Sequence, residues 1–219
     1  SPEVIDNKKI INSLNRENFQ REELMRGLKN INDDDVILLS DLDEIPNLNN
    51  FKVEKVKNNI LIFKQMMFYY KFNLYYENFK WFGSKAVSKK NFISPQWLRN
   101  IKNKKYPKWR FDTFFSDKKY NNVKFIEDGG WHFTCIKDPK DIHFKLSSFL
   151  HHQDYENSNI SVEDLERKIS NRELLYDHNQ DQTYNNKWKT QKKLKKVGFG
   201  YLPDFLDIHR VKYKKWIEN

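Results

Sequence analysis

The sequence has few of the residues that cross-link small secreted folds or form flexible joints. Cys135 is the only cysteine, which excludes an internal disulfide and a thiolate metal cage and favours a buried cysteine acting as a small hydrophobe. Glycine contributes only 6 of 219 residues, so linkers are not expected. The most apolar stretch, residues 60–72, is interrupted by Lys64, Gln65 and Lys71. No run approaches the roughly 18 apolar residues of a membrane-spanning helix, and such a helix is excluded.

Aromatic residues, in contrast, are abundant, with 17 Phe, 11 Tyr and 6 Trp. A disordered chain with 32% charged residues would be poor in aromatic side chains, so we expect a folded domain with a core built on rings. The length predicts one domain over residues 1–219. Because the chain begins with Ser1 and has no signal-peptide pattern, we interpret it as a trimmed or processed piece.

The net charge is +10, from 40 Lys and Arg against 30 Asp and Glu. Since 32 of these bases are lysine and asparagine is also frequent, codon usage of an AT-rich genome explains much of the total. The distribution is more informative, because residues 80–124 carry 13 bases against 2 acids, a local balance of +11. A basic, aromatic-rich segment of this kind suits phosphate, nucleic acid or an anionic surface.

Alternating helical and strand patterns predict the α/β class. The predicted helices cover residues 16–29, 95–101, 139–151, a segment that begins at Ser161, and 203–217; the predicted strands cover 36–39, 60–72, 81–88, 123–126 and 131–136. We interpret the apolar run 36–39 as a strand buried on both faces. Pro46 is expected to open a helix, where its missing N–H costs nothing.

The sharpest motif is residues 41–44 (Asp-Leu-Asp-Glu), directly after the predicted strand 36–39. Two carboxylates one residue apart on a turn can share a hard cation, and Mg²⁺ or Mn²⁺ is usually held by one or two carboxylates together with substrate phosphates. Open α/β sheets bind ligands at the carboxyl ends of their strands. That placement makes a cation site about as well supported as the alternative, a solvated acidic turn at a helix start.

Two further motifs contain histidine. In residues 128–133 (Asp-Gly-Gly-Trp-His-Phe) the paired glycines permit close backbone approach, and Trp131 offers a flat face to a sugar ring. His132 could ligate a metal or orient a phosphate, although a structural histidine beside a turn is the simpler interpretation. Residues 151–154 (His-His-Gln-Asp) stand at a predicted helix end, where the helix dipole itself favours histidine. The alternative there is one ligand or base turned into a cleft.

These motifs together resemble glycosyltransferase family 17, the family of the bisecting β-1,4-N-acetylglucosaminyltransferase. The resembling segments occur in the right order over most of residues 16–217. They are residues 16–21 (Arg-Glu-Asn-Phe-Gln-Arg), 28–29, 35–46, 81–84 (Trp-Phe-Gly-Ser), 94–99 (Ser-Pro-Gln-Trp-Leu-Arg), 130–133 (Gly-Trp-His-Phe), 144–145, 152–154 (His-Gln-Asp) and 202–203. The acidic motif paired with Gly-Trp-His is the most specific part.

The resemblance implies a GT-A-like (Rossmann-like) fold and an inverting, metal-dependent sugar transfer. The donor would be a nucleotide sugar, most simply a UDP-sugar carrying N-acetylglucosamine, and the acceptor a glycan. Family members carry the first strands of the nucleotide fold ahead of the Arg-Glu-Asn-Phe-Gln-Arg stretch, so the resemblance implies a domain that lacks them here. Asp154 stands where the family pattern has glutamate.

By this resemblance Asp41 and Asp43 would hold Mn²⁺ or Mg²⁺ against the donor diphosphate. The chemistry of such a transfer indicates roles for other residues, with His132 as a third ligand to the metal or to phosphate. Asp128, Asp154 and Glu44 are candidates for the base that takes the acceptor proton, and the sequence does not choose between them. The candidate substrate-binding residues are Lys85, Arg99, Trp131 and His152. For Lys85 and Arg99, a solvated surface charge is the alternative.

Two other classes of function stay open. One is a metal-dependent phosphodiesterase or nuclease built on Asp41, Asp43 and His132. The other is a nucleic-acid-binding module over residues 80–124, helped by six lysines in residues 187–196. The lysine excess has a compositional explanation and no RNA-binding signature is present, so nucleic acid is not the favoured partner. Animal relatives are anchored in the Golgi; this chain shows no anchor, so a cytoplasmic bacterial or viral enzyme is expected, with the Golgi lumen as the alternative.

Overall fold

The computed structural model describes residues 2–49, 51–148, 152–179 and 185–219. It shows a chain of mixed α/β structure, and within the described residues seven strands join one sheet that is mostly antiparallel with some parallel pairing. The chain divides into two compact units. The first comprises Ser1–Gln65 and Trp81–Gly130, and the second comprises Met66–Lys80 and Trp131–Asn219.

The described helices and strands have the following bounds. The helices are α1 (Pro2–Glu23), α2 (Pro95–Asn100), α3 (Pro139–Ser148), α4 (His152–Glu156), α5 (Val162–Ser170) and α6 (Asp204–Ile208). The strands are β1 (Val36–Leu39), β2 (Glu44–Pro46), β3 (Ile60–Tyr69), β4 (Leu74–Ser88), β5 (Val123–Ile126), β6 (Gly130–Thr134) and β7 (Lys195–Lys196). Short 3₁₀ turns lie between them, at Leu24–Leu28, Val53–Lys55, Lys89–Asn91, Phe111–Thr113, Asn185–Lys189, Phe199–Tyr201 and Lys214–Trp216. None of the described helices has the length and apolar character needed to cross a membrane.

The core of the first unit lies on both faces of β3. Ile60 and Ile62 belong to one apolar cluster, which also contains Leu98 of α2, while Leu61 and Phe63 belong to the other. This alternation is the period-two pattern of a strand, and each large side chain buried in this way contributes about 1.5–3 kcal/mol to stability. The strand buried on both faces is therefore β3, which pairs in parallel with β5 from Ile60 opposite Val123 to Phe63 opposite Ile126.

The expectation that β1 is buried on both faces holds only in part. Within the described residues β1 pairs with a single neighbour, β4, in antiparallel register from Val36 opposite Ser88 to Leu39 opposite Lys85. Only Ile37 of this strand is buried. Its apolar sequence is still explained, because Leu38 packs against one core cluster and Leu39 against the other.

The second unit is built on the far half of β3. There β6 runs parallel to β3, with Met66 opposite Trp131 and Tyr69 opposite Thr134. The short strand β7 pairs antiparallel with the start of β4. Phe68 and Phe133 join an apolar cluster that buries Leu206 of α6, so this core is largely aromatic, as the composition predicts.

The predicted helix at Pro46 is wrong, and the predicted C-terminal helix begins as expected but is much shorter. Pro46 ends β2 instead of opening a helix, since residues 44–46 pair within the sheet. The predicted C-terminal helix 203–217 is replaced by the five-residue α6, turns and the 3₁₀ turn Lys214–Trp216. Leu206 is buried but Val211 is exposed, so no continuous apolar face supports a longer helix. The Trp216 carbonyl instead accepts a hydrogen bond from the Phe72 amide at 2.8 Å.

Candidate active site

The acidic turn, residues 40–44, closes on itself between β1 and β2. The Glu44 amide donates to the Asp41 carbonyl at 3.0 Å, and the Ser40 hydroxyl donates to the Glu44 carbonyl at 3.0 Å. The Asp41 amide donates in turn to Glu44 Oε2 at 3.2 Å. These reciprocal bonds fix the backbone and leave Asp41 and Asp43 half-buried at the surface. The turn is therefore shaped before any ligand arrives.

Glu44 anchors this turn to β4. Its side chain is only 1% exposed, and Oε1 accepts from Trp81 Nε1 at 2.7 Å while Oε2 accepts from the Ser84 hydroxyl at 3.2 Å. Burial raises the pKa of Glu44, the Trp81 hydrogen bond lowers it, and the nearby Asp41 charge raises it further. Because both carboxylate oxygens are engaged, Glu44 holds the turn in place.

Arg99 reaches the acidic turn from the end of α2. Its guanidinium lies 2.8 Å from Asp41 Oδ2 and 4.0 Å from Glu44 Oε1. Ser94 caps α2, with the Trp97 amide donating to its hydroxyl at 3.1 Å, which sets the position of the helix. Arg99 is thus paired with the acidic motif, and the alternative of a solvated surface charge does not hold for it.

Lys85 is buried beneath Arg99. It lies on β4, and its ammonium donates to the carbonyl oxygens of Arg99 at 2.8 Å and Ile101 at 2.6 Å. Burial lowers the pKa of Lys85 to about 8, and the Arg99 charge lowers it further, against the opposing effects of Glu44 and Asp41. Lys85 therefore holds the C-terminal end of α2, and it is not a surface charge either.

The glycine pair packs against the other end of β2. The Asn47 amide donates to the Gly129 carbonyl at 3.0 Å, and Asn47 Nδ2 donates to the Asp128 carbonyl at 3.3 Å. Gly130 has φ +118°, and a Cβ there would lie 2.6 Å from the Asn47 nitrogen. The predicted close backbone approach is thus confirmed. Asp128 is exposed. The turn that contains Asp128 is hydrogen-bonded to Asn47, and Asn47 follows Glu44 by three residues, so this turn lies roughly 10 Å along β2 from Glu44.

The remaining predicted residues belong to the second unit. Trp131 is half-buried and donates from Nε1 to the Tyr201 carbonyl at 2.7 Å. His132 is buried on β6, opposite Met67. Asp154 Oδ2 lies 2.6 Å from Lys187 Nζ and is 45% exposed. His152 begins α4, and its side chain lies outside the described residues.

The second unit also contains a half-buried histidine that the sequence pattern does not signal. The hydroxyl of Tyr69 is hydrogen-bonded to His178 Nε2, and the rings of Phe79 and Tyr176 lie 4.9 and 4.2 Å from the imidazole. Burial lowers the pKa of His178 to about 4, with a further lowering from His132. The imidazole is therefore neutral at physiological pH.

The family model of glycosyltransferase family 17 matches residues 4–214, nearly the whole chain. The chain belongs to glycosyltransferase family 17. Comparison with curated proteins found no match, and comparison with solved structures found none. Membership makes the protein a glycosyltransferase in the general sense, with a nucleotide-sugar donor and a glycan acceptor as its classes of substrate.

In this family 17 glycosyltransferase, the first unit brings together four residues that the sequence singled out. We call Asp41, Glu44, Lys85 and Arg99 the acidic-turn cluster, with Asp43 next to it on the turn. Trp81 and Ser84 complete the cluster. Both belong to a segment that carried the family resemblance, but pairing them with Glu44 requires the tertiary structure.

No three or more His, Cys, Asp or Glu side chains are grouped to hold a metal ion within the ranges that the structure describes. Asp41 and Asp43 lie in the first unit, and His132 lies in the second. The three-ligand set of Asp41, Asp43 and His132 therefore stays a prediction.

Proposed function

We propose that this glycosyltransferase has a GT-A-like fold and transfers a sugar with inversion from a nucleoside diphosphate donor to a hydroxyl of a glycan. By family analogy the sugar is N-acetylglucosamine and the donor a UDP-sugar. The observation that supports the donor site best is the pairing of Arg99 with Asp41 at 2.8 Å, on a preformed turn at the carboxyl end of β1. A complex of a metal ion with a diphosphate needs a carboxylate for the cation and a basic group for the phosphates, and at the acidic turn both are present together.

Asp41 and Asp43 are the proposed holders of Mn²⁺ or Mg²⁺. Carboxylate oxygens are the ligands these cations prefer, and one or two suffice when substrate phosphates and water complete the coordination. The donor set of the acidic turn fits that requirement, whereas Glu44 is excluded because both of its oxygens are engaged. Such a cation, when bound, supplies neutralisation of the charge that develops on the leaving diphosphate.

Arg99 is proposed to bind the donor diphosphate. A guanidinium presents donors in a fork that matches two phosphate oxygens, and its charge is permanent. Lys85 is proposed as a positioning residue, because its ammonium is committed to the carbonyls of Arg99 and Ile101. Lys85 affects donor binding by fixing the position of the C-terminal end of α2.

Asp128 is our candidate for the base. Inverting transfer requires one carboxylate to take the proton of the acceptor hydroxyl on the face opposite the leaving group. Asp128 is exposed, and its turn is fixed to β2 within the same unit as the acidic turn. Glu44 is buried and engaged, and Asp154 is paired with Lys187. Asp128→Asn should therefore reduce transfer strongly while leaving nucleotide binding unchanged.

The donor site can be tested by thermal shift with UDP, GDP and CMP, each with and without Mn²⁺. One nucleotide should stabilise the protein in a Mn²⁺-dependent way, by about 2.7 kcal/mol at a hundredfold excess over its Kd. Asp43→Asn should lose this effect. Asp34→Asn, a matched control at an exposed aspartate of the preceding turn, should keep it. If Asp43→Asn keeps the Mn²⁺-dependent stabilisation, the proposal that Asp43 holds the metal is wrong. If no nucleotide stabilises the protein, the proposed donor site is wrong.

Product analysis separates transfer from phosphodiester chemistry. A transferase releases the nucleoside diphosphate from a nucleotide sugar, whereas a phosphodiesterase releases the monophosphate. We expect UDP, appearing in step with glycosylated acceptor.

A further inference from the structure

The basic segment of the first unit contains a closed loop. The Lys102 amide donates to the Lys118 carbonyl at 2.7 Å, so the ends of residues 102–118 are tied together. Near the middle, the hydroxyl of Thr113 donates to the Arg110 carbonyl at 2.7 Å within the 3₁₀ turn Phe111–Thr113. Loops with joined ends and internal packing are frequently functional. We call residues 102–118 the basic aromatic loop.

Four large aromatic side chains of this loop are exposed to solvent. Within seven consecutive positions, the exposed fractions are 76% for Trp109, 78% for Phe111, 69% for Phe114 and 93% for Phe115. Single exposed apolar residues are ordinary, but a concentration of this kind marks an interaction site. Buried Thr113 lies among them, so the turn is packed while its rings are not.

The loop carries six basic residues against two acidic ones, Asp112 and Asp117. Asp112 is neutralised locally, because it lies 2.6 Å from the Arg110 guanidinium and 2.8 Å from the Lys119 ammonium. Four exposed lysines, Lys102, Lys104, Lys105 and Lys108, lie on the arm before the rings, and the arm after them carries Lys118 beside the exposed Asp117. The positive charge of the loop is thus concentrated on the arm that leads into the exposed rings.

We propose that the basic aromatic loop docks on an anionic lipid bilayer. Its rings would enter the boundary between headgroups and acyl chains, and its lysines would meet the lipid phosphates. Exposed Trp and Phe together with Lys and Arg are the composition of interfacial anchors, and polybasic segments are attracted to anionic leaflets. Single-stranded nucleic acid instead needs rings spaced along a basic groove. Here the rings cluster in one closed loop, and three of the four are phenylalanine, which has no hydrogen-bonding group.

Vesicle flotation tests this proposal independently of the transferase chemistry. The protein is mixed with vesicles of phosphatidylcholine alone or of phosphatidylcholine with phosphatidylglycerol. We expect binding to the anionic vesicles only, weakened by salt. The triple variant Trp109→Ala, Phe111→Ala, Phe115→Ala should bind at least about tenfold less. The double variant Lys104→Glu, Lys105→Glu should lose a similar amount, since both signals are needed for stable anchoring.

The control carries Phe19→Ala and Phe144→Ala, two exposed phenylalanines outside the loop, and should bind as the wild type does. Equal binding to neutral and anionic vesicles, absent binding, or unchanged binding in both loop variants would each overturn the proposal. A single-stranded oligonucleotide is tested in parallel by fluorescence anisotropy. If it is bound, and bound less by the loop variants, while vesicles are not bound, the loop is a nucleic-acid site and the lipid proposal is wrong.

Discussion

The indole nitrogen of Trp81 donates a hydrogen bond of 2.7 Å to Oε1 of Glu44, inside the first unit. This bond joins β4 to the residue that both ends the acidic turn and begins β2. Burial disfavours the ionised carboxylate, and the indole N–H favours it. The shape of the turn that presents Asp41 and Asp43 thus depends on a carboxylate that is costly to bury and is compensated by specific donors.

Replacing Glu44 with glutamine should change the pH dependence of stability. The pKa of Glu44 is raised on folding, so the folded state binds more protons than the unfolded state as the pH rises through the unfolded value of 4.5, and Glu44 then costs stability. Glutamine does not titrate. We expect the free energy of unfolding of Glu44→Gln, relative to wild type, to increase between about pH 4 and pH 7 in urea titrations.

Glu54→Gln provides the control for that experiment, because Glu54 is exposed. Its stability relative to wild type should not follow the same trend. A difference between Glu44→Gln and wild type that stays constant over the pH range would contradict the assignment of Glu44 as a buried, desolvated carboxylate.

Lys85→Met should be tolerated at neutral pH and costly at high pH. The pKa of Lys85 is about 8 in the folded state against an ordinary 10.5, so its buried charge costs the wild type stability below pH 8, and this cost disappears as the pH rises toward 10.5. In the variant the carbonyls of Arg99 and Ile101 lack that donor, which lowers the free energy of unfolding by about 1–3 kcal/mol. Between pH 7 and pH 10, the free energy of unfolding of the wild type should rise by about 2–3 kcal/mol relative to that of the variant.

Urea unfolding at the two pH values measures this difference. Lys90→Met, at an exposed lysine beyond the end of β4, should show no comparable change. If wild type and Lys85→Met differ by the same amount at both pH values, the ammonium is not buried as described.

Arg99→Gln should weaken binding of a nucleoside diphosphate more than binding of the matching monophosphate. The proposed contact is made to the diphosphate, and hydrogen bonds to charged groups contribute about 1.5–3 kcal/mol. Titration calorimetry with UDP and UMP in Mn²⁺ gives both affinities. Arg26→Gln, at an arginine that is 75% exposed, should leave both unchanged. An equal loss for the two nucleotides would place Arg99 outside the diphosphate site.

Features that depend on hydrogen bonds between residues close in the chain can be recognised from the sequence. Ser94 caps α2, and Ser161 forms a capping box with Asp164 at the start of α5. These are decided within a few residues of the chain, so the sequence is sufficient to find them. The glycine pair at 129–130 was likewise recognisable as a close approach, although its partner, the end of β2, was not.

Features that depend on distant pairing were missed. An apolar run such as residues 36–39 reads the same in a central strand and at a sheet edge, and only the pairing of β1 with β4 distinguishes the two. Pro46 has a good helix-start pattern, which the strand pairing of residues 44–46 overrides. Asp41, Arg99 and Lys85 were each singled out by type and position. Their ion pair and burial come from the packing of α2 on β4, which no spacing in the sequence encodes.

Gly83→Ala should disrupt the acidic-turn cluster directly. A Cβ at Gly83 would overlap Gln65 Oε1 and lie 2.8 Å from the Glu44 carboxyl carbon. Gln65 is fully buried, so neither side chain can move into solvent without losing packing, and we expect a loss of about 1–3 kcal/mol in the free energy of unfolding. Since Glu44 anchors the turn, Mn²⁺-dependent stabilisation by the nucleotide should fall as well. Gly27→Ala is the matched control, because a Cβ there meets nothing within 4 Å. It should be neutral or stabilising by up to about 1 kcal/mol. Equal stability and nucleotide response in both variants would show that the contact between β4 and Glu44 does not shape the site.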